Sequence, residues 1–266
     1  MNYEQAKQIA EKAVGELAES LERGHSEQLK RYLAAMAKFP RYSLYNILLI
    51  LAQRPETVRV AGYRTWQSLG RVVKRGAKGI LIFAPLVRRA EAQNASEQEH
   101  GSRLVGFRGV HVFAQEDTDG KPLPSLSECQ GDPSAHRDQL KAFVTSRGVE
   151  IEYSASMRPA LGQCSSDKIE LLPDLSAAVE FAVLAHEVAH LLLHFGPNRR
   201  DLTKQVRETE AEAVAFVVCS AIGLEAIQSA SEYILLYSGD KKVFADSLEN
   251  IQRVGSEIIA AITAES

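Results

Sequence analysis

The chain has 266 residues, of which 45% are hydrophobic and 24% are charged, and its formal net charge is −3. This length can bury a core in one or two domains, and the composition is that of a globular protein, which excludes a disordered chain. No apolar run reaches about 18 residues without a charge or a histidine, so we expect no membrane span. Cys129, Cys164 and Cys219 form no C-x-x-C pair, and the N-terminus lacks a signal-peptide core. We therefore expect a protein of the reducing cytoplasm.

The charges are unevenly distributed along the chain. Of its 31 basic and 34 acidic residues, 13 basic and one acidic lie between Gln28 and Arg89, which leaves 18 and 33 elsewhere. Such segregation indicates two functional halves, one of which contacts a polyanion.

The first 55 residues have the periodicity of three helices. Residues 3–23 and 26–39 are amphipathic, and Ser43 precedes a third, apolar helix that ends near Arg54. Asn46 lies among the leucines of this third helix. Two interpretations of it stay open: a buried amide satisfied inside the protein, or a ligand contact.

A glycine-punctuated basic turn, GRVVKRGAKG (70–79), follows a strand at 58–62 and a turn or short helix at 63–68. It lacks the Lys-Ser/Thr of a Walker loop, but backbone N–H groups and cations in such a turn suit a phosphate backbone. The alternative is a solvated hairpin. Aromatic residues nearby favour single-stranded nucleic acid, although the only tryptophan, Trp66, could equally belong to the core. The candidate DNA contacts are Tyr42, Asn46, Arg64, Trp66, Arg71, Lys74, Arg75 and Lys78.

The middle of the chain predicts a domain boundary. Residues 88–106 are polar and aperiodic, which indicates a flexible insertion after the strand ILIFAP, and the segment after strand 109–115 is loop-like. We expect an N-terminal α+β domain over 1–125 and a second domain over 135–266.

The second half is mostly helical with a small sheet. It should contain a helix over 135–147, strands over 149–155 and 168–172 separated by a loop at 157–168, and helices over 177–195 and 202–222. Two more helices, over 224–238 and 241–264, complete it. The fold class expected for the whole chain is α+β.

The segment His186-Glu187-Val188-Ala189-His190 carries the chemistry of this half. Histidines four residues apart on a helix lie on one face at the spacing that holds one zinc ion, and Glu187 lies about 100° around the helix, within reach of a water on the metal. The alternative is a set of core polar residues satisfied by backbone or water.

A catalytic zinc ion needs a third protein ligand, and helix 202–222 offers three glutamates. Periodicity places Glu208 and Glu212 on one face and Glu210 about 200° from Glu208, so we expect Glu210 in solvent. We predict Glu208 as the ligand and Glu212 as its support; the alternative is two surface glutamates. His194 is interpreted as a packing or supporting residue, because a fourth ligand would close the site.

Three stretches in the first half, at 41–51, 60–85 and 110–124, resemble the single-stranded-DNA-binding domain of ArdC-like antirestriction proteins. The second half resembles the H-E-x-x-H peptidases attached to such domains and the ImmA/IrrE peptidases, since E-x-x-A-x-x-x-A occurs at Glu208, Ala211 and Ala215. One departure is Glu212, which stands where ImmA/IrrE proteins have asparagine. The architecture is also similar to that of Spartan-type proteases, which couple DNA binding to proteolysis.

The resemblance implies a zincin of gluzincin type in which His186, His190 and Glu208 hold zinc and Glu187 is the catalytic base. The leading hypothesis is a DNA-associated metallopeptidase with a protein substrate, which the strand KIELL could bind by β-augmentation. Alternatives are an antirestriction or DNA-protection protein whose zinc is structural, and a regulatory peptidase that cleaves a repressor. Candidates for stabilising the oxyanion are Tyr153, Arg158, Tyr233 and Tyr237.

Overall fold

The computed structural model describes residues 3–57, 59–89, 102–120, 133–157, 160–195, 202–224 and 240–264. The chain divides into two compact units. Unit 1 comprises Met1–Ala13 and Tyr45–Leu123, and unit 2 comprises Val14–Leu44 and Pro124–Ser266.

The units differ from the predicted domains in the placement of residues 14–44, which belong to unit 2. Their helix α2 (Glu27–Lys38) packs against two C-terminal helices, α7 (Lys204–Ala221) and α8 (Lys241–Ile262). Leu29, Leu33 and Met36 are fully buried. The apolar face of α2 therefore completes the core of unit 2, which sequence proximity to the basic segment did not indicate.

Unit 1 contains two small antiparallel sheets. In the described residues, the larger sheet has the strand order β1-β4-β3 and the smaller one pairs β2 with β5. The elements are α3 (Leu44–Gln53, which begins at the last residue of unit 2), β1 (Val60–Ala61), α4 (Tyr63–Ser68), β2 (Arg71–Val73), β3 (Ile80–Arg89), β4 (Ser102–Ala114) and β5 (Thr118–Gly120).

The β3–β4 ladder continues into both ends of the predicted flexible insertion and corrects the bounds of that prediction. Val87 pairs with Leu104 and Arg89 with Ser102, after a register shift at Leu86. Residues 90–101 lie outside the described residues. The polar composition was misleading because a two-stranded ladder is held by backbone hydrogen bonds and does not require apolar side chains on both faces.

Two amide side chains of α3 occupy the outer edge of β3. The Asn46 amide donates to Phe83 O and accepts from Phe83 N, both at 2.9 Å. Gln53, two turns later, bonds in the same way to Leu81 O (2.9 Å) and Leu81 N (3.0 Å). The amides thus take the place of a fourth strand and satisfy an edge that would otherwise be open. Of the two interpretations of Asn46, the structure supports the satisfied amide.

Unit 2 is a helical assembly with one three-stranded sheet in the described residues, of order β6-β8-β7. The β6–β8 pair is parallel and the β7–β8 pair is antiparallel. Besides α2, α7 and α8, it contains α5 (Ser134–Thr145), β6 (Glu150–Tyr153), β7 (Gly162–Cys164), β8 (Lys168–Leu171) and α6 (Ala177–His194), while α1 (Tyr3–Glu22) runs from unit 1 into it.

Two predictions for this sheet need correction. Part of the predicted loop 157–168 is the strand β7, whose sequence GQC is too short to show alternation. The strand KIELL forms β8, which is flanked on both sides and cannot accept a further strand. The predicted helix 224–238 falls almost wholly outside the described residues.

Helix α6 lies at the centre of unit 2. Its N-cap is Ser176, whose hydroxyl accepts from Val179 N, as predicted. It packs against α5, α7, α8, β7 and β8. Among the described residues, α6 has the length and hydropathy of a membrane span, but half of it is buried in the protein, and a core helix passes the same test. The predicted α+β class is confirmed.

Candidate metal centre and basic surface

Helices α6 and α7 bring three predicted ligands together. The Nε2 atoms of His186 and His190 are 3.1 Å apart, and Glu208 Oε2 lies 3.6 Å from the first and 3.4 Å from the second. Ligand atoms about 2.0–2.2 Å from a tetrahedral ion are separated from one another by about 3.3–3.6 Å. The three atoms therefore fit one small divalent cation, and they form a potential metal-binding group.

The outward-facing nitrogens of both histidines have partners. His186 Nδ1 is 2.9 Å from Glu212 Oε2, in the supporting position predicted for Glu212. His190 Nδ1 is 2.9 Å from His194 Nδ1, and His194 Nε2 is 3.0 Å from Glu210 Oε2. If Nδ1 of both His186 and His190 carries a hydrogen, His186 donates to Glu212 and His190 donates to His194, which in turn donates from Nε2 to Glu210. The Nε2 atoms of His186 and His190 then have free lone pairs on the side of Glu208. Such partners fix the tautomer and orientation of metal-binding imidazoles.

The position of Glu210 contradicts the prediction that it points to solvent. It is fully buried, whereas the side chain of Glu208 is half exposed. The prediction assumed that α7 has one polar face, but α7 packs against α2, α6 and α8 and is buried on almost every side. Glu210 consequently contacts His194 one turn beyond the metal-binding pair. The signal missed in the sequence is the uninterrupted apolar composition of α7 after Glu212.

Glu187 lies beside the predicted ligands and is only 7% exposed. Burial raises the pKa of its carboxyl group to about 7, against the attraction of His186 and with the repulsion of Glu208. Burial also lowers the pKa of His190 to about 4, together with the charge of His186. A carboxylate of this pKa is suited to accept and return a proton near neutral pH.

A cavity of about 930 Å³ exposes these groups. The strand β7 forms one wall, and Lys204 and Arg207 are cations in its lining. Gly162 in β7 is the point of closest approach: a β-carbon there would lie 2.6 Å from both Glu187 Oε1 and Val183 Cγ1. Only glycine lets β7 pass so close to the carboxylate. Neither Gly162 nor Arg207 was singled out from the sequence, since neither belongs to a motif.

Of the predicted oxyanion stabilisers, only Tyr153 lies among the described residues, and it does not line this cavity. The Tyr153 hydroxyl donates to Glu180, which also pairs with Lys141 and Arg137. Burial alone would raise the pKa of Glu180, but these hydrogen bonds and charges lower it. The other candidates, Arg158, Tyr233 and Tyr237, lie outside the described residues.

The predicted DNA contacts of unit 1 separate into two sets. Arg71 donates to Thr118 Oγ1 at 2.8 Å and to Thr118 O at 2.9 Å, and Lys74 donates to Glu116 O at 3.0 Å. These bonds help to hold β2 against β5 and against the residues just before β5. The remaining cations are exposed, and no hydrogen bond or ion pair within the described ranges engages their side chains. These are Arg64, Arg75 and Lys78.

Trp66 and Tyr42 are not exposed stacking surfaces. Trp66 is 1% exposed and donates its indole N–H to Phe113 O at 2.9 Å, so it is a core residue. Tyr42 belongs to unit 2, is half-buried, and contacts the edge of the Phe39 ring. Composition alone could not distinguish an aromatic residue in the core from one on the surface.

Fold and site thus define a two-unit α+β protein with a His–His–Glu cluster in its second unit. Residues 7–113 match the family described as the N-terminal domain of anti-restriction factor ArdC, and this part of the chain is ArdC-like.

Solved structures of the antirestriction ArdC protein from plasmid R388 show the same fold. The metal-free structure has a TM-score of 0.53 at 20% identity and covers 96% of this chain and 97% of its own. The Mn(II)-bound structure has a TM-score of 0.54 at 20% identity, with coverage of 97% and 99%. At this identity the likeness extends to the fold alone. The His–His–Glu group of this chain could hold a metal ion by its own geometry.

Two curated relatives are longer proteins. The chain is 28% identical over 209 residues to the protein y4eC of Sinorhizobium fredii, which covers 71% of this chain and 66% of the relative. It is 21% identical over 296 aligned positions to an uncharacterized protein of Bacillus anthracis, and the match covers 94% of this chain and 49% of the relative. The chain therefore spans less than two thirds of the length of each.

Proposed function

We propose that this chain is a cytoplasmic, DNA-associated zinc metallopeptidase that binds single-stranded DNA and hydrolyses peptide bonds of a protein substrate. The observation that carries this proposal is the triangle of His186 Nε2, His190 Nε2 and Glu208 Oε2, with Glu187 buried beside it. Three protein ligands and one open position are the arrangement of catalytic rather than structural zinc sites.

Zinc is favoured by the donor set. Two imidazoles and one carboxylate suit Zn²⁺ better than Mg²⁺ or Ca²⁺, which prefer oxygen ligands. The half-exposed side of Glu208 and the adjoining cavity leave room for water and substrate. When bound, zinc would act as a Lewis acid and lower the pKa of water at its open position.

The residues of the chain supply the remaining chemistry. Glu187 accepts a proton from the attacking water and passes it to the leaving amine, for which a carboxyl pKa of about 7 is well matched. Glu212 and the His194–Glu210 pair hold the two imidazoles in place. Lys204 and Arg207, which both line the cavity, are candidate sources of positive charge for the developing oxyanion.

An extended substrate would pair with β7 rather than with the predicted KIELL strand. Among the described residues β7 is the edge of its sheet, and it forms a wall of the cavity beside Glu187. Backbone pairing along such an edge positions a peptide without requiring a particular sequence. This arrangement would place the scissile bond between β7 and the metal-binding helices.

The DNA-binding part of the proposal rests on unit 1. Its ArdC-like sequence and its nine of the 13 basic residues between Gln28 and Arg89 support contact with a polyanion. A second candidate function, DNA protection without proteolysis, is favoured by the matched family's description as an anti-restriction factor. In that case the metal would stabilise unit 2 without turning over a substrate.

Glu187→Gln separates these functions. We expect the variant to keep a full equivalent of zinc and to lose proteolysis of a denatured protein substrate, measured with and without single-stranded DNA. Glu150→Gln, an exposed acid on β6, is the matched control and should retain activity. Protection of DNA from a restriction enzyme that is unchanged by Glu187→Gln, with no proteolysis by either protein, would support the second function.

A further inference from the structure

The outer face of the β1–β4–β3 sheet has an unusual composition. The ladder alternates, so that Ile80, Ile82 and Val112 lie on the buried face. The opposite face carries Leu81, Phe83, Val105, Phe107, His111 and Phe113, and Tyr63 of α4 joins it by contacting Phe113. We call the set Tyr63, Phe83, Phe107, His111 and Phe113 the aromatic face.

Several members of this face are open to solvent. Phe107 is 47% exposed, Tyr63 48%, and Val105 between the strands' distal ends 57%. His111 is also exposed. An antiparallel sheet with one covered face normally presents polar side chains on the other. A contiguous apolar and aromatic outer face therefore indicates a binding surface.

Glycines leave space between the rings. Gly109 stands opposite Phe83 in the ladder, and a β-carbon there would lie 3.1 Å from Leu81 Cδ1 and 3.9 Å from Phe83 Cε1. Gly79 lies under His111, whose Cβ would be 2.9 Å from an added β-carbon. The rings of Tyr63 and Phe113 meet edge to face at 6.5 Å. The face thus offers ring surfaces beside bare backbone, where planar groups can approach.

Two exposed cations are chain neighbours of residues on this face. Arg64 directly follows Tyr63 and Lys78 directly precedes Gly79, and both are exposed. Aromatic rings interspersed with cations suit a ligand that has planar apolar groups joined by negative charges.

We propose that the aromatic face binds single-stranded nucleic acid, with bases stacked on Phe107 and Tyr63 and phosphates neutralised by Arg64 and Lys78. Sheet surfaces that carry exposed aromatic residues bind unpaired bases in this way in other folds. The inference rests on the proposed single-strand binding and replaces Trp66 and Tyr42 as its stacking residues. A duplex does not expose its base faces and should bind through charge alone.

The test uses the full chain and fluorescence anisotropy with a labelled deoxythymidine oligonucleotide, its duplex with a complementary strand, and the equivalent RNA. Phe107→Leu keeps an apolar side chain but removes the ring, and we expect it to weaken single-strand binding roughly 5- to 100-fold, the range for one lost base stack. Phe107→Tyr should retain binding. Val72→Ala, which changes an even more exposed apolar residue on β2 of the smaller sheet, is the matched control and should have no effect.

The salt dependence adds a second readout. Phe107→Leu should leave the slope of log affinity against log salt unchanged, whereas Arg64→Gln with Lys78→Gln should reduce it by about 0.7 per lost phosphate contact. If Phe107→Leu and Tyr63→Leu both bind single strands as well as wild type does, the aromatic face is not the binding surface, but the proposed function still stands. Wild-type protein that binds no single strand at low salt would overturn both. Variants that change only self-association, measured by light scattering, would assign the face to a second copy of the chain.

Discussion

The candidate metal centre of unit 2 and the aromatic face of unit 1 differ in how their side chains are held. Around the metal centre, each imidazole nitrogen that faces away from the triangle has a carboxylate or histidine partner, and Glu187, His194 and Glu210 are buried. On the aromatic face, Phe107 and Tyr63 are nearly half exposed, and nearby cations are open to solvent. The first arrangement is organised before any ligand arrives, whereas the second can adapt to a flexible strand.

This difference predicts how each region responds to substitution. A preorganised centre depends on atomic positions, so one changed atom should have a large and specific effect. A stacking surface distributes its affinity over several rings and charges, so each change should have a moderate effect. The three variants below test this comparison in order of expected effect.

Glu208→Gln should produce the largest change, a fall of more than about 100-fold in zinc affinity, because it replaces a charged ligand. Loss of a residue that only supports a ligand typically lowers metal affinity about 10- to 100-fold. Titration against a competing chelator measures the affinity, and elemental analysis measures the stoichiometry. Glu249→Gln, an exposed acid on α8, is the control. An equal effect from Glu212→Gln would show that ligand and support are exchanged.

Much of this metal centre could be predicted from the sequence because helical geometry fixes the relative positions of residues one turn apart. His186, His190 and the placement of Glu208 and Glu212 follow from that periodicity. Glu210 was misplaced because periodicity gives the direction of a side chain but not which directions are covered by other helices. That information comes from the packing of α2 and α8, which are distant in sequence.

Unit 1 was less predictable for a related reason. The basic excess marks a stretch of chain as a candidate for contact with a polyanion, but charge composition cannot distinguish Arg71, which donates to Thr118, from Arg75, which lies in solvent. Nor can it show that Trp66 is buried while Phe107 is exposed. The strand β4 was recognised only in part, so the alternation that places Phe107, His111 and Phe113 on one face could not be followed. Side-chain roles on a sheet depend on register, which tertiary pairing determines.

Gly162→Ala tests whether the metal centre requires a particular atom-to-atom distance. Its new methyl group would lie 2.6 Å from Glu187 Oε1, so either the carboxylate or β7 must move. We expect peptidase activity to fall about 10- to 100-fold, the order of loss caused by a displacement of about 1 Å, with zinc content unchanged. Gly62→Ala adds the same methyl group where nothing lies within 4 Å and is the control. Unchanged activity would mean that substrate hydrolysis does not depend on the position of Glu187.

Asn46→Ala should have the smallest effect and should separate the framework of the aromatic face from its binding surface. The substitution leaves the N–H and C=O of Phe83 without their partner at the β3 edge, which should destabilise unit 1 by about 1–2 kcal/mol. The better helix propensity of alanine should reduce this loss of stability by a few tenths of a kcal/mol. Gln53→Ala removes the equivalent pair at Leu81, where both hydrogen bonds are exposed, and should cost less stability because water can replace them.

Urea unfolding can be followed by the fluorescence of Trp66, the only tryptophan, which is buried and donates a hydrogen bond to β4. Single-strand affinity measured well below the unfolding midpoint should stay within about twofold of wild type. A larger loss of affinity with little loss of stability would return Asn46 to the set of direct nucleic-acid contacts.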